Sequence, residues 1–231
     1  MRCSTGVRSR RVLPRRMAVT CASFGAWAWS ARCSASPIFG HNGNCINARD
    51  LRGDLSREGV SFTTSSDTEV VAQLIANEEG ATWDERLIRA LPKLQGAWSL
   101  VILTPSALYA VRDPLGVRPL CLGRKGDAWL VASETCALET VGARFIRDIA
   151  PGEVLRIDDR GPLTVADFAA SRRGLCVFEH VYLASVASDL GGVSVYATRE
   201  RMGETLADEH PAAADVVIPV PDSAIPAAVG Y

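Results

Sequence analysis

Two short clusters hold the side chains best suited to chemistry. His41-Asn42-Gly43-Asn44 sets a carboxamide beside a glycine. The side-chain amide of Asn42 and the backbone N–H of Gly43 can point at one oxygen, and the missing Cβ lets a substrate approach the backbone. That is the donor pair of an oxyanion hole. Asn-Gly is also the favoured centre of a tight hairpin turn, and the tetrapeptide leaves both readings open. Ser66-Asp67-Thr68-Glu69 has the form of a capping box, with Ser66 as N-cap and Glu69 at N3. Asp67 then sits at a helix N-terminus, where the dipole stabilises its carboxylate. A fixed anion there could hold a substrate ammonium, or serve the helix alone.

The elements around these clusters follow from periodicity. Val70, Val71, Leu74 and Ile75 share one face, which predicts a helix over 67–77. Leu87, Ile88 and Leu91 predict a second helix, disturbed at Pro92. Residues 98–103 and 107–111 are short β-type runs joined by a hairpin at Thr104-Pro105-Ser106, and 129–132 and 153–157 are further strands. The expectation is one sheet holding 98–103, 107–111 and 129–132, with helix 67–77 packed on it. Residues 134–141 read as a short helix stopped by Gly142. Residues 158–174 read as a loop and a domain boundary. Beyond it, 177–184 reads as a strand and 193–210 as an amphipathic helix with Val195, Met202 and Leu206 inward. Val216-Val217-Ile218 reads as a buried parallel strand.

Composition narrows the class. Hydrophobic residues make up 48% and charged residues 22%, enough for a packed core. A net charge of −1 argues against a nucleic-acid binder, and no apolar run reaches the ~18 residues of a membrane span. The seven Cys include no CxxC pair, so neither a disulfide framework nor a zinc site is indicated. Cys121 and Cys136 read as small core residues. Residues 1–40 carry seven Arg and no acid. The segment 1–38 fits an organellar transit peptide, a signal peptide or mistranslated upstream sequence equally. Residues 7–37, lacking a matching period, are expected not to pack on the sheet.

The order of the motifs is more specific than any one of them. His41–Asn44 and Ser66–Glu69 are followed by Gly96-Ala97-Trp98-Ser99, by Arg112-Asp113-Pro114-Leu115-Gly116-Val117-Arg118-Pro119-Leu120, and by Ala132-Ser133-Glu134-Thr135. This series resembles the glutaminase domain of class II glutamine amidotransferases. Sugar-phosphate aminotransferases and asparagine synthetases share versions of the early motifs. The 112–120 and 132–135 stretches, with Cys176–Ala184 and Val217–Ser223, are most similar to the amidophosphoribosyltransferase branch.

The resemblance implies an α+β chain. Residues 39–170 would be a partial glutaminase domain of the N-terminal-nucleophile type, a four-layer αββα sandwich. Residues 171–231 would begin an α/β phosphoribosyltransferase domain. Such enzymes hydrolyse glutamine and pass ammonia to phosphoribosyl pyrophosphate, giving phosphoribosylamine for purine synthesis. Asn42 and Gly43 would form the oxyanion hole, and Asp67 would hold the glutamine α-amino group. Arg2, in Arg2-Cys3-Ser4-Thr5-Gly6, would bind the glutamine carboxylate. In full-length relatives a Cys at the position of Cys176 would be one of four thiolates of a four-iron four-sulfur cluster, the others lying further along, and Mg2+ would accompany the phosphates; neither is expected on this chain. The resemblance also implies a homo-oligomer and a cytoplasmic location, or a plastid one if 1–38 is a transit peptide. The family's nucleophile is a Cys at the mature N-terminus whose free amine serves as base. Cys3 is internal, so the chain as written is expected to be an inactive fragment. The other readings are a non-catalytic glutamine-binding or subunit-interaction relative, and a different class II amidotransferase.

Overall fold

The computed structural model describes residues 17–19 and 38–231. Its elements begin with strands β1 (Met17–Val19) and β2 (Ile38–Cys45) and helices α1 (Ala48–Arg57), α2 (Asp67–Asn77) and α3 (Trp83–Ala90). Strands β3 (Gly96–Leu103), β4 (Leu108–Arg112), β5 (Cys121–Lys125) and β6 (Ala128–Ala132) follow, then α4 (Thr135–Thr140), β7 (Arg144–Asp148), β8 (Glu153–Asp158) and β9 (Gly161–Asp167). A π-helical turn at Glu179–Leu183 precedes the two-residue strands β10 (Asp189–Leu190) and β11 (Val193–Ser194), and helices α5 (Val195–Glu209) and α6 (Ile225–Gly230) complete the chain.

The strands form two larger sheets, ordered β2-β3-β4-β8-β9 and β1-β6-β5-β7. Side-chain alternation divides the core into layers. Trp98, Leu100, Ile102, Tyr109 and Val111 face the helices and pack with Val70, Leu74, Ile75 and Leu87. Their neighbours Leu108 and Ala110 face the other way, against Leu122 and Val131 of the second sheet. Strand β4 is therefore apolar on both faces, as a central strand between two layers requires. The far side of the second sheet carries Cys121, Leu130 and Ala132 against Ala137 and Leu138 of α4. The result is helix, sheet, sheet, helix: the expected αββα order. None of the described helices is long and apolar enough to cross a membrane.

Several expectations need correction. Strand 129–132 does not join 98–103 and 107–111. It lies in the second sheet, where Val131 packs against β4 and β8 across the inter-sheet core while Leu130 and Ala132 face α4 on the other side. Met17–Val19 pairs in parallel with Trp129–Val131, so residues 7–37 do not all stand clear of a sheet. The rest of that segment lies outside the described residues. Residues 161–167 are not loop but edge strand β9, antiparallel to β8. An edge strand has one covered face and tolerates Pro162, so its polar composition concealed it.

The C-terminal part departs furthest. Residues 177–183 are helical, not extended. Short apolar runs fit either period, and Phe178 and Tyr182, one turn apart, meet edge-on at 5.8 Å. Helix α5 buries Val195 as expected but exposes Met202 and Leu206. Its inward stripe is Val195, Arg199 and Gly203. A Cβ on Gly203 would meet the Ala227 carbonyl at 1.9 Å, so α6 lies backbone to backbone against α5. Val216, Val217 and Ile218 are exposed and form no strand. Among the described residues they have no neighbouring strand to pair with.

Candidate functional site

The HNGN segment is not a turn. Residues 41–44 run inside β2, paired with β3 in continuous register: His41 opposite Leu100, Asn42 opposite Ser99, Gly43 opposite Trp98. That register sorts the side chains. His41 shares the helix-facing side with Leu100, and Asn42 shares the inter-sheet side with Ser99. Among the described residues β2 is an edge, with β3 its one neighbour.

The backbone groups can be sorted in the same way. Ile46 N–H donates across the ladder to Gln95 carbonyl at 2.9 Å. Cys45 N–H points the opposite way, to Oδ2 of Asp67 at 3.0 Å. Alternation along the strand then sends the Gly43 N–H outward too, from the free edge. Only glycine fits at this position. Its φ is +137°, and a Cβ would lie 2.1 Å from the Ala97 carbonyl oxygen.

Asp67 is carried to this edge by α2. The Ser66 hydroxyl accepts the N–H of Thr68 and caps the helix. The reciprocal half of the expected capping box is absent, because Glu69 turns to the preceding loop. Its carboxylate accepts the N–H and hydroxyl of Thr63 and of Thr64, four bonds of 2.7 to 2.8 Å. Burial alone would raise its pKa, but those four donors outweigh it and hold Glu69 at about 2. Ser66 N–H goes instead to the Thr64 hydroxyl. Arg52 donates to the Ser66 carbonyl and lies over the Phe62 ring at 4.2 Å. The loop that delivers Asp67 is thus tied down from both sides.

His41 links strand and helix. Its Nδ1 is 3.0 Å from the Thr68 hydroxyl and 3.6 Å from Oδ1 of Asp67. Its Nε2 is enclosed, without a hydrogen-bond partner among the described residues. Burial pushes the His41 pKa below the ordinary imidazole value. Asp67 opposes that shift and Arg118 adds to it. The imidazole is therefore neutral near pH 7, between the Asp67 carboxylate and the more distant Arg118 guanidinium.

The 112–120 segment forms the floor on the inter-sheet side. Asp113, fully buried, accepts the N–H groups of Leu115, Val117 and Arg118. Arg112 donates to the carbonyls of Gly116, Arg118 and Ile149. Ser99, across the ladder from Asn42, donates to the carbonyls of Arg118 and Pro119. The Arg118 side chain then leaves the floor and pairs with Glu179 at 2.7 Å.

The structure sets Gly43 and Asp67 along the free edge of β2, with Asn42 beside Gly43 on the inter-sheet face, and adds His41, Thr68 and Ser99, to which sequence reasoning gave no role. Thr68 and Ser99 sat within recognised motifs; only the three-dimensional register shows what they touch. Cys176 is not part of this group. It lines a cavity of about 320 Å3 that borders the 112–120 floor, with Arg112, Asp148, Arg173 and His180. Arg2 and Cys3 lie outside the described residues. Among the described residues no three His, Cys, Asp or Glu side chains cluster so as to hold a metal ion.

Comparisons with known proteins identify relatives of this chain. Residues 30–140 match the glutamine amidotransferase domain family. The amidophosphoribosyltransferase of Methanothermobacter thermautotrophicus is 43% identical over 209 residues, covering 88% of this chain and 43% of that protein. The chloroplastic amidophosphoribosyltransferase 2 of Arabidopsis thaliana is 47% identical over 192 residues, 83% of this chain and 34% of that one. A solved glutamine phosphoribosylpyrophosphate amidotransferase from B. subtilis, complexed with ADP and GMP, matches with a TM-score of 0.82 at 40% identity. It covers 89% of this chain and 45% of that one. The chain spans less than half the length of these relatives. It is a homologue of the amidophosphoribosyltransferases, with a glutamine amidotransferase domain over residues 30–140.

Proposed function

We propose that the free edge of β2 and the N-terminus of α2 form a glutamine site, the glutaminase half of an amidophosphoribosyltransferase. One observation carries this reading. The Asp67 carboxylate accepts the Cys45 N–H, which fixes an anion beside the strand edge where Gly43 N–H points outward. Substrate glutamine has an ammonium at one end and an amide carbonyl at the other. Asp67 receives the ammonium. Asn42 Nδ2 and Gly43 N–H would receive the amide oxygen as it gains charge during attack by the N-terminal Cys thiolate that the family resemblance implies, a group this chain as written does not place at its start. Both donors are set before the reaction rather than recruited during it. Neutral His41 holds the helix against the strand without competing for the carboxylate. The ammonia released would serve phosphoribosyl pyrophosphate on a phosphoribosyltransferase domain that begins near residue 171, in a homo-oligomeric protein.

The binding half is testable without turnover. L-glutamine is titrated into isotope-labelled protein, and the amide signals of Asn42, Gly43 and Cys45 are followed by NMR. Asp67→Asn keeps an oxygen for the Cys45 N–H but removes the charge. A charge-assisted contact of ~1.5–3 kcal/mol corresponds to about a 10- to 150-fold loss of affinity. 4-Carbamoylbutyrate, glutamine without its amine, should bind the parent and Asp67→Asn equally weakly. Undiminished glutamine binding by Asp67→Asn would remove the proposal's main support.

A further inference from the structure

The ion pair between part-buried Arg118 and buried Glu179 lies outside the glutamine chemistry just proposed, yet it joins the 112–120 floor to the 179–183 turn. Glu179 is 7% exposed, at the start of the π-helical turn. Its partner's backbone is clamped at both polar atoms. Arg118 N–H goes to Asp113, and its carbonyl accepts from Arg112 and Ser99. The one part of Arg118 free to respond is its side chain, and Glu179 holds that. On the floor side, Ser99 is directly opposite Asn42. The cation also acts on His41, which contacts Asp67 and Thr68. The other end of the turn is equally constrained. Arg199, 2% exposed, donates to the carbonyls of His180 and Ala184. Glu134 accepts the Ser185 N–H and the Ser188 hydroxyl.

We propose that Arg118 is a positioning residue that couples the 179–183 turn to the glutamine-binding edge of β2. The contact runs from Glu179 through the Arg118 guanidinium, and from the Arg118 carbonyl through Ser99 to the strand pair that presents Asn42. A change in the turn alters where Arg118 can sit and, through it, the geometry at Asn42 and the charge felt by His41. Events at the 179–183 turn thereby have a route to the glutamine site through this ion pair. The inference rests on the glutamine-site reading for its functional meaning, but the coupling itself is measurable without glutamine.

The experiment uses NMR on the whole labelled chain, whose three histidines are His41, His180 and His210. His180 neighbours Glu179 and reports local change; His41 reports the remote site. Glu179→Gln should shift the amide signals of Asn42, Gly43 and Asp67. Arg118→Met should raise the His41 titration midpoint, since removing a nearby cation favours the protonated imidazole, and Arg118→Lys should restore most of it. Glutamine binding by Glu179→Gln should weaken on the order of tenfold. Removing one partner leaves a buried charge and can unfold the chain. The double variant Arg118→Met/Glu179→Leu avoids this and should raise the His41 midpoint as Arg118→Met does. Shifts confined to residues 176–184, with the His41 midpoint unmoved in both Met variants, would overturn the coupling. A parent that binds no glutamine, while Glu179→Gln still moves the Asn42 and Asp67 signals, would sink the glutamine reading and leave the coupling standing.

Discussion

Gly43→Ala is the sharpest single perturbation of the proposed oxyanion site. A Cβ built on Gly43 lies 2.1 Å from the Ala97 oxygen, 2.7 Å from Trp98 Cα and 2.9 Å from the Ala97 carbonyl carbon. All three atoms are backbone, so no side chain can swing away. To reach even a close C···O separation of about 3.3 Å, the strands must part by more than an ångström. By the alternation of the ladder, the Ala97 carbonyl is the acceptor for Asn44 N–H, and that bond would not survive the movement. The φ of +137° adds a second cost, typically about 1–3 kcal/mol for a non-glycine residue there. Overpacking contributes about 1–3 kcal/mol more. The expected loss is then about 2–6 kcal/mol, a large share of the ~5–15 kcal/mol that stabilises an ordinary domain. Urea unfolding followed by far-UV circular dichroism measures it, with the emission of buried Trp98, opposite Gly43, as a local probe. Any glutamine-induced shift at Asn42 should vanish in the variant. A loss below about 1 kcal/mol with an unchanged urea slope would show that the edge yields easily, and would refute the rigid presentation of Gly43 N–H.

The remaining predictions test the supports around the site. His41 has a folded pKa below its ordinary value of 6.5, so the unfolded chain takes up the proton first as pH falls. Its contribution is complete above about 6.5 and is lost as pH drops toward the folded value. Urea midpoints at pH 7.5 and 5.5 should therefore fall further in the parent than in His41→Gln, and equal falls would contradict the assignment. Glu153 accepts two bonds from Arg147, one from Ala150 N–H and one from the Thr164 hydroxyl. Glu153→Leu leaves the Ala150 N–H and the Thr164 hydroxyl without their acceptor while partly exposed Arg147 regains water, so it should cost about 1–3 kcal/mol in urea unfolding, whereas no loss would mean the network is not held as described. Burial, with Asp148 nearby, pushes the Cys121 thiol up to about 12. Native protein treated with iodoacetamide at pH 8 should be alkylated at half-exposed Cys136 and Cys176 but not at Cys121, as peptide mass spectrometry would show. Labelling of Cys121 at a comparable rate would refute its burial.

How much of this was legible in the sequence depended on how local each signal was. Helix α2 could be placed to the residue because Ser66 and the Val70, Val71, Leu74, Ile75 face lie within ten positions of one another. Asn42, Gly43 and Asp67 could be singled out as candidates from their types and motif order, although the turn reading of Asn-Gly could be discarded only once the β2–β3 register was known. The two-sheet arrangement was not legible. Strands of similar composition carry no mark of which sheet they join, and only the opposed faces of Leu108 and Tyr109 reveal it. Edge strand β9 escaped for a related reason, since one covered face demands fewer apolar residues.

The C-terminal errors share a different cause, and it bears on function. Residues 177–183 were read by hydrophobicity as a strand, and α5 was assigned Met202 and Leu206 as its core. The structure instead buries Glu179 and Arg199 and leaves Met202 half-exposed. A charged side chain is rarely interior without a partner, and here the partners are remote: Arg118 lies 61 positions before Glu179. No window of sequence holds both, so no periodicity could report them. Burying such a pair adds little to stability compared with an apolar contact of similar size. What an ion pair supplies that Leu and Val cannot is a defined geometry between one guanidinium and one carboxylate. The polar residues that defeated the sequence reading are therefore those that fix how the 179–183 turn meets the floor beneath Asn42, whereas the apolar residues that it read correctly fix only that the sheets and helices pack.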